Sequence, residues 1–229
     1  MTIKLQKIID DFDSSTKSEI QIFKKNFRNE TIEACLKALI GATFENSSFV
    51  SMQYINVCFD QSDFINCIIK NCDFKKAYFD IGIFKNTVIE NCRFENTSFA
   101  PRRFENTVIE NCRFENTSFE GSWFKNCTFI NCQFTEVDFG DVEAKKFYFR
   151  KCEFIETQWA CALLYGAEFI EPTYLQQNHY GSGTVIDSKF YDSEYKSLEF
   201  KGEIFLLEIV DMFKNLNSSE SYADDDDEE

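Results

Sequence analysis

The stretch that decides the fold runs from Phe84 to Phe99, FKNTVIENCRFENTSF, and returns almost unchanged from Phe104 to Phe119 as FENTVIENCRFENTSF. The two copies are offset by twenty residues, and within each copy the large apolar residues stand five apart, as in Phe84, Ile89, Phe94 and Phe99. Followed outward, this register holds from Phe44 to Tyr174. Of its 27 positions 19 are Phe, and the others are Tyr54, Ile69, Ile89, Ile109, Ala144, Trp159, Leu164 and Tyr174. Neither a helix nor a flat strand repeats every five residues. Two positions ahead of each large residue lies a second register, in which 23 of 27 members are Ala, Ser, Thr, Cys, Val or Gly; Met52, Arg102, Phe147 and Pro172 are the exceptions.

A large inward residue paired with a small one two positions earlier, repeated every five, resembles the pentapeptide-repeat family over about 160 of the 229 residues. The resemblance implies an all-β solenoid, a right-handed quadrilateral β-helix in which each pentapeptide forms one side and four make a coil. Residues twenty apart then stack in columns. Cys72, Cys92, Cys112, Cys132 and Cys152 make one small column, and Ile69, Ile89 and Ile109 lie in a large one. Asn46, Asn66, Asn86, Asn106 and Asn126 make a third, and Asn71, Asn91, Asn111 and Asn131 a fourth. Asn suits turns and its amides ladder, which explains how the chain turns with only 8 Gly and 2 Pro. At roughly 4.8 Å per coil the repeats make a rod about 32 Å long.

The flanks lack the period. Residues 1–41 read as a helical cap over the first coil, with a capping box at Thr16–Glu19 followed by Ile20, Phe23 and Phe27 at helical spacing. The repeat domain is assigned to 42–200, interrupted by a polar loop at 175–184 and resuming one residue out of step at Phe190, Tyr195 and Phe200. Residues 201–217 read as a capping helix, and 218–229, ending DDDDEE, as a disordered acidic tail. Lys4, Lys7, Asp10 and Asp11 interrupt any apolar run long enough for a signal or a membrane span, so a cytoplasmic protein is expected.

Chemistry is scarce. The single His, His179, sits in the polar loop beside Tyr180, and no phosphate loop, dinucleotide fingerprint or nucleophile elbow is present. A non-enzymatic protein without cofactor is expected. Cys67 with Cys72, and Cys127 with Cys132, have a loose metal-ligand spacing. Seven of the ten Cys fall in the small inward register, however, where a thiol packs as a small apolar group. No metal site is therefore expected.

The remaining clues concern partners. Net charge is −15. Counting Lys and Arg against Asp and Glu, it divides as +1 over 1–41, −6 over 42–174 and −10 over 175–229, which disfavours binding to nucleic-acid phosphates. One side of the rod carries Asp60, Asp80, Glu120, Asp138 and Asp141 without Lys or Arg. The resemblance extends to the quinolone-resistance group, which implies a protein partner, a type II topoisomerase, contacted by partial mimicry of DNA. A second reading is a scaffold that docks a protein through Arg102, Arg103 and Trp123, or through the 175–184 loop. The apolar run containing Leu206, Ile209, Val210 and Phe213 surrounds more of a helix than one cap needs, so a homodimer is expected there.

Overall fold

The computed structural model describes residues 4–13, 20–35, 37–170, 183–186, 189–191, 197–199 and 203–205. Alternation of one inward residue between two outward ones gives three-residue strands such as Thr43–Glu45, Ser48–Val50 and Gln53–Ile55. The strands stack in parallel at an offset of twenty: Phe44 on Phe64, Phe64 on Phe84, Phe84 on Phe104, Phe104 on Phe124. The result is a parallel β-solenoid of about seven turns.

Its first side passes through Phe44 and Phe64, its second through Phe49 and Ile69, its third through Tyr54 and Phe74, and its fourth through Phe59 and Phe79. The first two sides share an 18-stranded sheet and the third is a 7-stranded sheet. The fourth is held by single bridges such as Cys58 to Tyr78 and Tyr78 to Ser98.

The demand for Phe is geometric. A flat ring stacks on its copy one coil away at the strand spacing: Phe59, Phe79 and Phe99 lie 4.8 Å apart, centroid to centroid, and tilt by only 6° and 11°. Rings on adjacent sides meet edge to face, as Tyr54 meets Phe59 at 5.3 Å, the other arrangement that aromatic quadrupoles favour. The corners are left-handed, as at Asn46 (φ 51°), Asn66 (52°) and Asn86 (51°), a conformation that Asn tolerates better than most residues. Corner amides also donate coil to coil, Asn106 to Asn86 at 3.0 Å and Asn126 to Asn106 at 2.9 Å.

The small register has its own bond pattern. Thr87 Oγ1 donates to the Phe64 carbonyl at 3.0 Å, Thr107 to Phe84 at 3.1 Å, Ser122 to Phe99 at 2.8 Å and the Cys72 thiol to Phe49 at 3.4 Å. In these four the acceptor is 23 residues earlier, and Thr87, Thr107 and Cys72 also reach the carbonyl two residues back. Nine of the ten free cysteines are buried and Cys161 is exposed. Where Ala144 leaves the large register short, Phe147 from the small one stacks on Phe124 at 4.5 Å, a local exchange of sizes that keeps the core filled.

The N-terminal segment differs from the helical reading. Helix Leu5–Asp13 covers the first coil with Leu5 and Ile9, and the buried Glu30 carboxylate accepts from its first amides, Leu5 N at 3.0 Å and Gln6 N at 3.2 Å. Residues Gln21–Phe23, Asn26–Arg28 and Thr31–Glu33, however, are strands of the solenoid. Ile22, Phe27 and Ile32 keep the five-residue step and are buried, while Phe23 is 52% exposed. Two extra residues between Ile32 and the buried Leu39 throw this first coil out of register, so Ile22 stacks on Phe44 at an offset of 22. The capping box at 16–19 lies outside the described residues.

At the other end the register shift of one is present: Val185 stacks on Leu164 and Phe190 on Phe169. Glu203–Phe205, read from sequence as the start of a helix, is a strand antiparallel to Thr184–Ile186, and Ser197–Glu199 runs antiparallel to Lys189–Tyr191. The reversed strands pair with the open edge of the last coil, where backbone groups would otherwise lack partners. Tyr195, Phe200, residues 206–217 and the acidic tail lie outside the described residues.

Candidate functional site

The fourth side places the predicted acids in order up the rod but turns several inward. Asp80 Oδ1 accepts from Ser98 Oγ at 2.6 Å and Ala100 N at 3.1 Å, Asp60 Oδ1 accepts from Asp80 N at 3.0 Å, and Asp138 Oδ1 accepts from Gly140 N at 2.7 Å. These three carboxylates brace their own corners and are half-buried, whereas Glu120 and Asp141 stand exposed. Burial, with Asp60 adding to it, pushes the Asp80 carboxyl above its usual range.

Beside this side, at the corner with the third, runs a groove of about 890 Å³ that no Lys or Arg lines. Glu136, Asp138 and Glu156 line its upper part, and Tyr78, Ser98 and Ser118 its lower part. The sequence reading did not include Glu136 and Glu156. They replace Asn in the corner column of Asn96 and Asn116, and that replacement was the available signal.

On the first side Arg103 and Trp123 are neighbours in register, with the Arg103 guanidinium 4.7 Å from the Trp123 ring centroid. Arg102 does not join them. It is 2% exposed, and its side chain enters the core. Nη1 donates to the Phe79 carbonyl at 2.8 Å, the same position 23 residues back that Thr and Cys use, and Nη2 reaches the Ser62 carbonyl at 2.5 Å. Gly82, one coil below with φ +147°, opens the space; a Cβ there would collide with the Ser62 carbonyl oxygen and stand 2.8 Å from Arg102 Nη1. Ile83 N donates to Asp63 Oδ1 at 3.1 Å, so the guanidinium occupies the carbonyl left over where the ladder breaks. The cation lies 4.5 Å from the Phe84 ring centroid and its Nε has no partner. Burial pushes its pKa down to about 9, against the pull of Asp63, Asp60 and Asp80. Arg102 is thus removed from the surface patch, because its side chain repairs the core.

His179 and Tyr180 of the loop, and Leu206, Ile209, Val210 and Phe213, lie outside the described residues. Among the described residues no group of three His, Cys, Asp or Glu could hold a metal, and no helix is long and apolar enough to cross a membrane.

Rings stacked every twenty residues around four sides, with small residues two positions ahead, decide the architecture. It is that of the pentapeptide-repeat proteins. Solved structures of such proteins align with it. HetL, a pentapeptide repeat protein involved in heterocyst differentiation regulation from the cyanobacterium Nostoc sp. strain PCC 7120, is 9% identical and covers 85% of this chain and 99% of its own, with a TM-score of 0.48. Full-length QnrB1, a plasmid-mediated fluoroquinolone resistance protein, is 15% identical over 70% of this chain and 92% of its own, with a TM-score of 0.38. At such identities the likeness concerns fold alone. A family model described as the SV2A/B/C luminal domain matches residues 105–179, less than half of the chain. No curated protein matches by sequence.

Proposed function

We propose that this chain is a non-enzymatic protein-interaction rod whose fourth side acts as a partial mimic of duplex DNA toward a type II topoisomerase. The observation that carries the reading is the groove and the upper part of that side, with Glu120, Glu136, Asp138, Asp141 and Glu156, where no Lys or Arg stands; lower down, in the coil of Asp80, the same corner column carries the exposed Lys76. Side chains on a ring-stacked core stand at fixed intervals of roughly 4.8 Å along the axis, so the surface is preorganised for a basic partner. The five acids predicted on this side span about 19 Å, where a duplex carries on the order of 11 phosphates, so the mimicry is dilute. The partner class rests on the resemblance of the repeat to the quinolone-resistance group. The assay is DNA supercoiling by gyrase and decatenation by topoisomerase IV with the rod added. A dose-dependent change is expected, weakened about two- to fivefold by Glu120→Gln with Asp141→Asn; no binding and no change in either activity would end this reading.

The Arg103–Trp123 pair supports a second reading, a scaffold that docks a protein through the first side, because Trp and Arg dominate binding hot spots. Its test is loss of partners from a pull-down with Arg103→Ala, Trp123→Ala. The dimer belongs to either reading: light scattering should give twice the monomer mass for the wild type and a monomer for Leu206→Asp, Val210→Asp.

A further inference from the structure

The first side, from the coil of Lys85 to that of Lys145, is the electrostatic opposite of the fourth. Lys85, Arg103, Lys125, Lys145 and the corner Lys146 face outward there against Glu105 and Glu143. Glu105 is shared by three of the cations, Arg103 at 3.7 Å, Lys125 at 3.8 Å and Lys85 at 4.0 Å. Among the described residues neither Lys145 nor Lys146 makes an ion pair, and Arg150 lies exposed farther along the same strand, Glu143–Arg150. In a chain of net charge −15, this is a local surplus of positive charge around an aromatic ring. An anionic, extended segment fits such a strip, with Trp123 and Arg103 at its lower end.

The chain carries a segment of that chemistry, six consecutive carboxylates from Asp224 to Glu229. Topology puts it within reach. The last described strand, Glu203–Phe205, pairs with Thr184–Ile186, which stacks on Leu163–Tyr165 and then on Glu143–Arg150 and Trp123–Ile130. The chain therefore leaves the described fold on the same side as the basic strip, above it. From that strand to Lys145 is about three strand spacings and to Arg103 about five, roughly 14 and 24 Å. The nineteen residues from Phe205 to Asp224 can span roughly 60 Å at most.

We infer that the strip formed by Arg103, Trp123, Lys125, Lys145 and Lys146 is a docking surface for an acidic segment, occupied in cis by residues 224–229 of the same chain. An external acidic partner must displace that segment, which makes the strip a self-masked interface. The inference is independent of the topoisomerase reading and its failure would leave that reading untouched.

Zero-length carbodiimide coupling of the full chain, prepared as a mixture of isotopically heavy and light protein, tests it. Expected are bonds from carboxylates 224–229 to Lys125, Lys145 or Lys146, heavy with heavy and light with light only. The 2.8 Å Lys70–Glu90 pair serves as the internal positive control. Mixed heavy–light products would assign the strip to a second copy and overturn the inference, as would control bonds without tail bonds. Removal of residues 224–229 should also raise iodide quenching of Trp123 about twofold at constant ionic strength, because a fixed negative charge repels iodide. Trp159, the other tryptophan, is 2% exposed and contributes little. Unchanged iodide quenching would overturn the inference. Lys145→Gln, Lys146→Gln, which alters only exposed side chains, should cut the tail bonds by half or more; undiminished coupling to Lys125 at full yield would count against the strip.

Discussion

Raising the pH should unfold this rod earlier than its size suggests, and the cysteines of the small register are the reason. Burial pushes Cys67 and Cys127 up to about 11 from 9.0. It raises Cys92, Cys112 and Cys132 as well, and Cys72 is raised first by its bond with the Cys92 thiol and then by burial. A raised thiol keeps its proton in the folded chain after the unfolded chain has shed it. Its stabilising share is therefore complete below pH 9 and drains away as the pH climbs from 9 toward the folded value. At pH 10 a thiol at 9.0 is mostly ionised and one at about 11 mostly is not, a difference on the order of 1 kcal/mol each. Summed over the buried thiols of the small register, the loss is on the order of several kcal/mol, a sizeable share of the stability of an ordinary domain, about 5–15 kcal/mol. The assay is the urea midpoint followed by circular dichroism from pH 7 to pH 10. The comparison is Cys92→Thr, Cys112→Thr, since Thr87 and Thr107 occupy the same register and make the same bond to the carbonyl 23 residues back. The variant should match the wild type near pH 7 and exceed it at pH 10, by on the order of 2 kcal/mol. Equal pH dependence in the two proteins would refute the reasoning, as would native thiols that ionise near 9.

Three further outcomes follow from single positions. Gly82→Ala should destabilise by about 3 kcal/mol or more, because its Cβ meets backbone at the Ser62 carbonyl in a conformation that side chains avoid; thermal unfolding checks it. Asn106→Ala should cost about 1–2 kcal/mol through lost ladder bonds and a left-handed backbone, and Asn106→Gly should lose less, a ranking measurable by denaturant titration. Phe147→Ala should cost about 3–5 kcal/mol, and adding Ala144→Phe should recover part of it by restoring the large register.

The five-residue register made the core legible almost residue by residue, because the solenoid admits one ring per side and position alone decides which way a side chain faces. The first coil escaped notice because Ile22 and Ile32 stand where Phe is the rule and two extra residues precede Leu39. Helical spacing of Ile20, Phe23 and Phe27 then offered a competing pattern, although Phe23 points outward. At the other end a short apolar run is ambiguous between helix and strand, and the unpaired edge selected strand for Glu203–Phe205. Arg102 misled because charge is normally a surface property; its place in the small register, with Gly82 one coil below, carried the contrary signal. For the fourth side, sequence assigned Asp80 and Asp138 to the outside but did not reveal that their carboxylates bend back to neighbouring amides.

The constant offset of twenty also makes direction around the axis a matter of counting. Each pentapeptide advances the chain by one side, so gaining or losing a whole coil would lengthen or shorten the rod by roughly 4.8 Å while every column stays aligned. Phe84–Phe99 and its near copy at Phe104–Phe119 have the form such a step would leave. A change of five residues instead would swing everything beyond it through a quarter turn and bring a different side beneath the cation-free surface. The Arg103–Trp123 pair and the acids thus hold their relative bearing as a phase written into chain length, and the two ends of the rod, at offsets of 22 and 21, are the places where that phase slips.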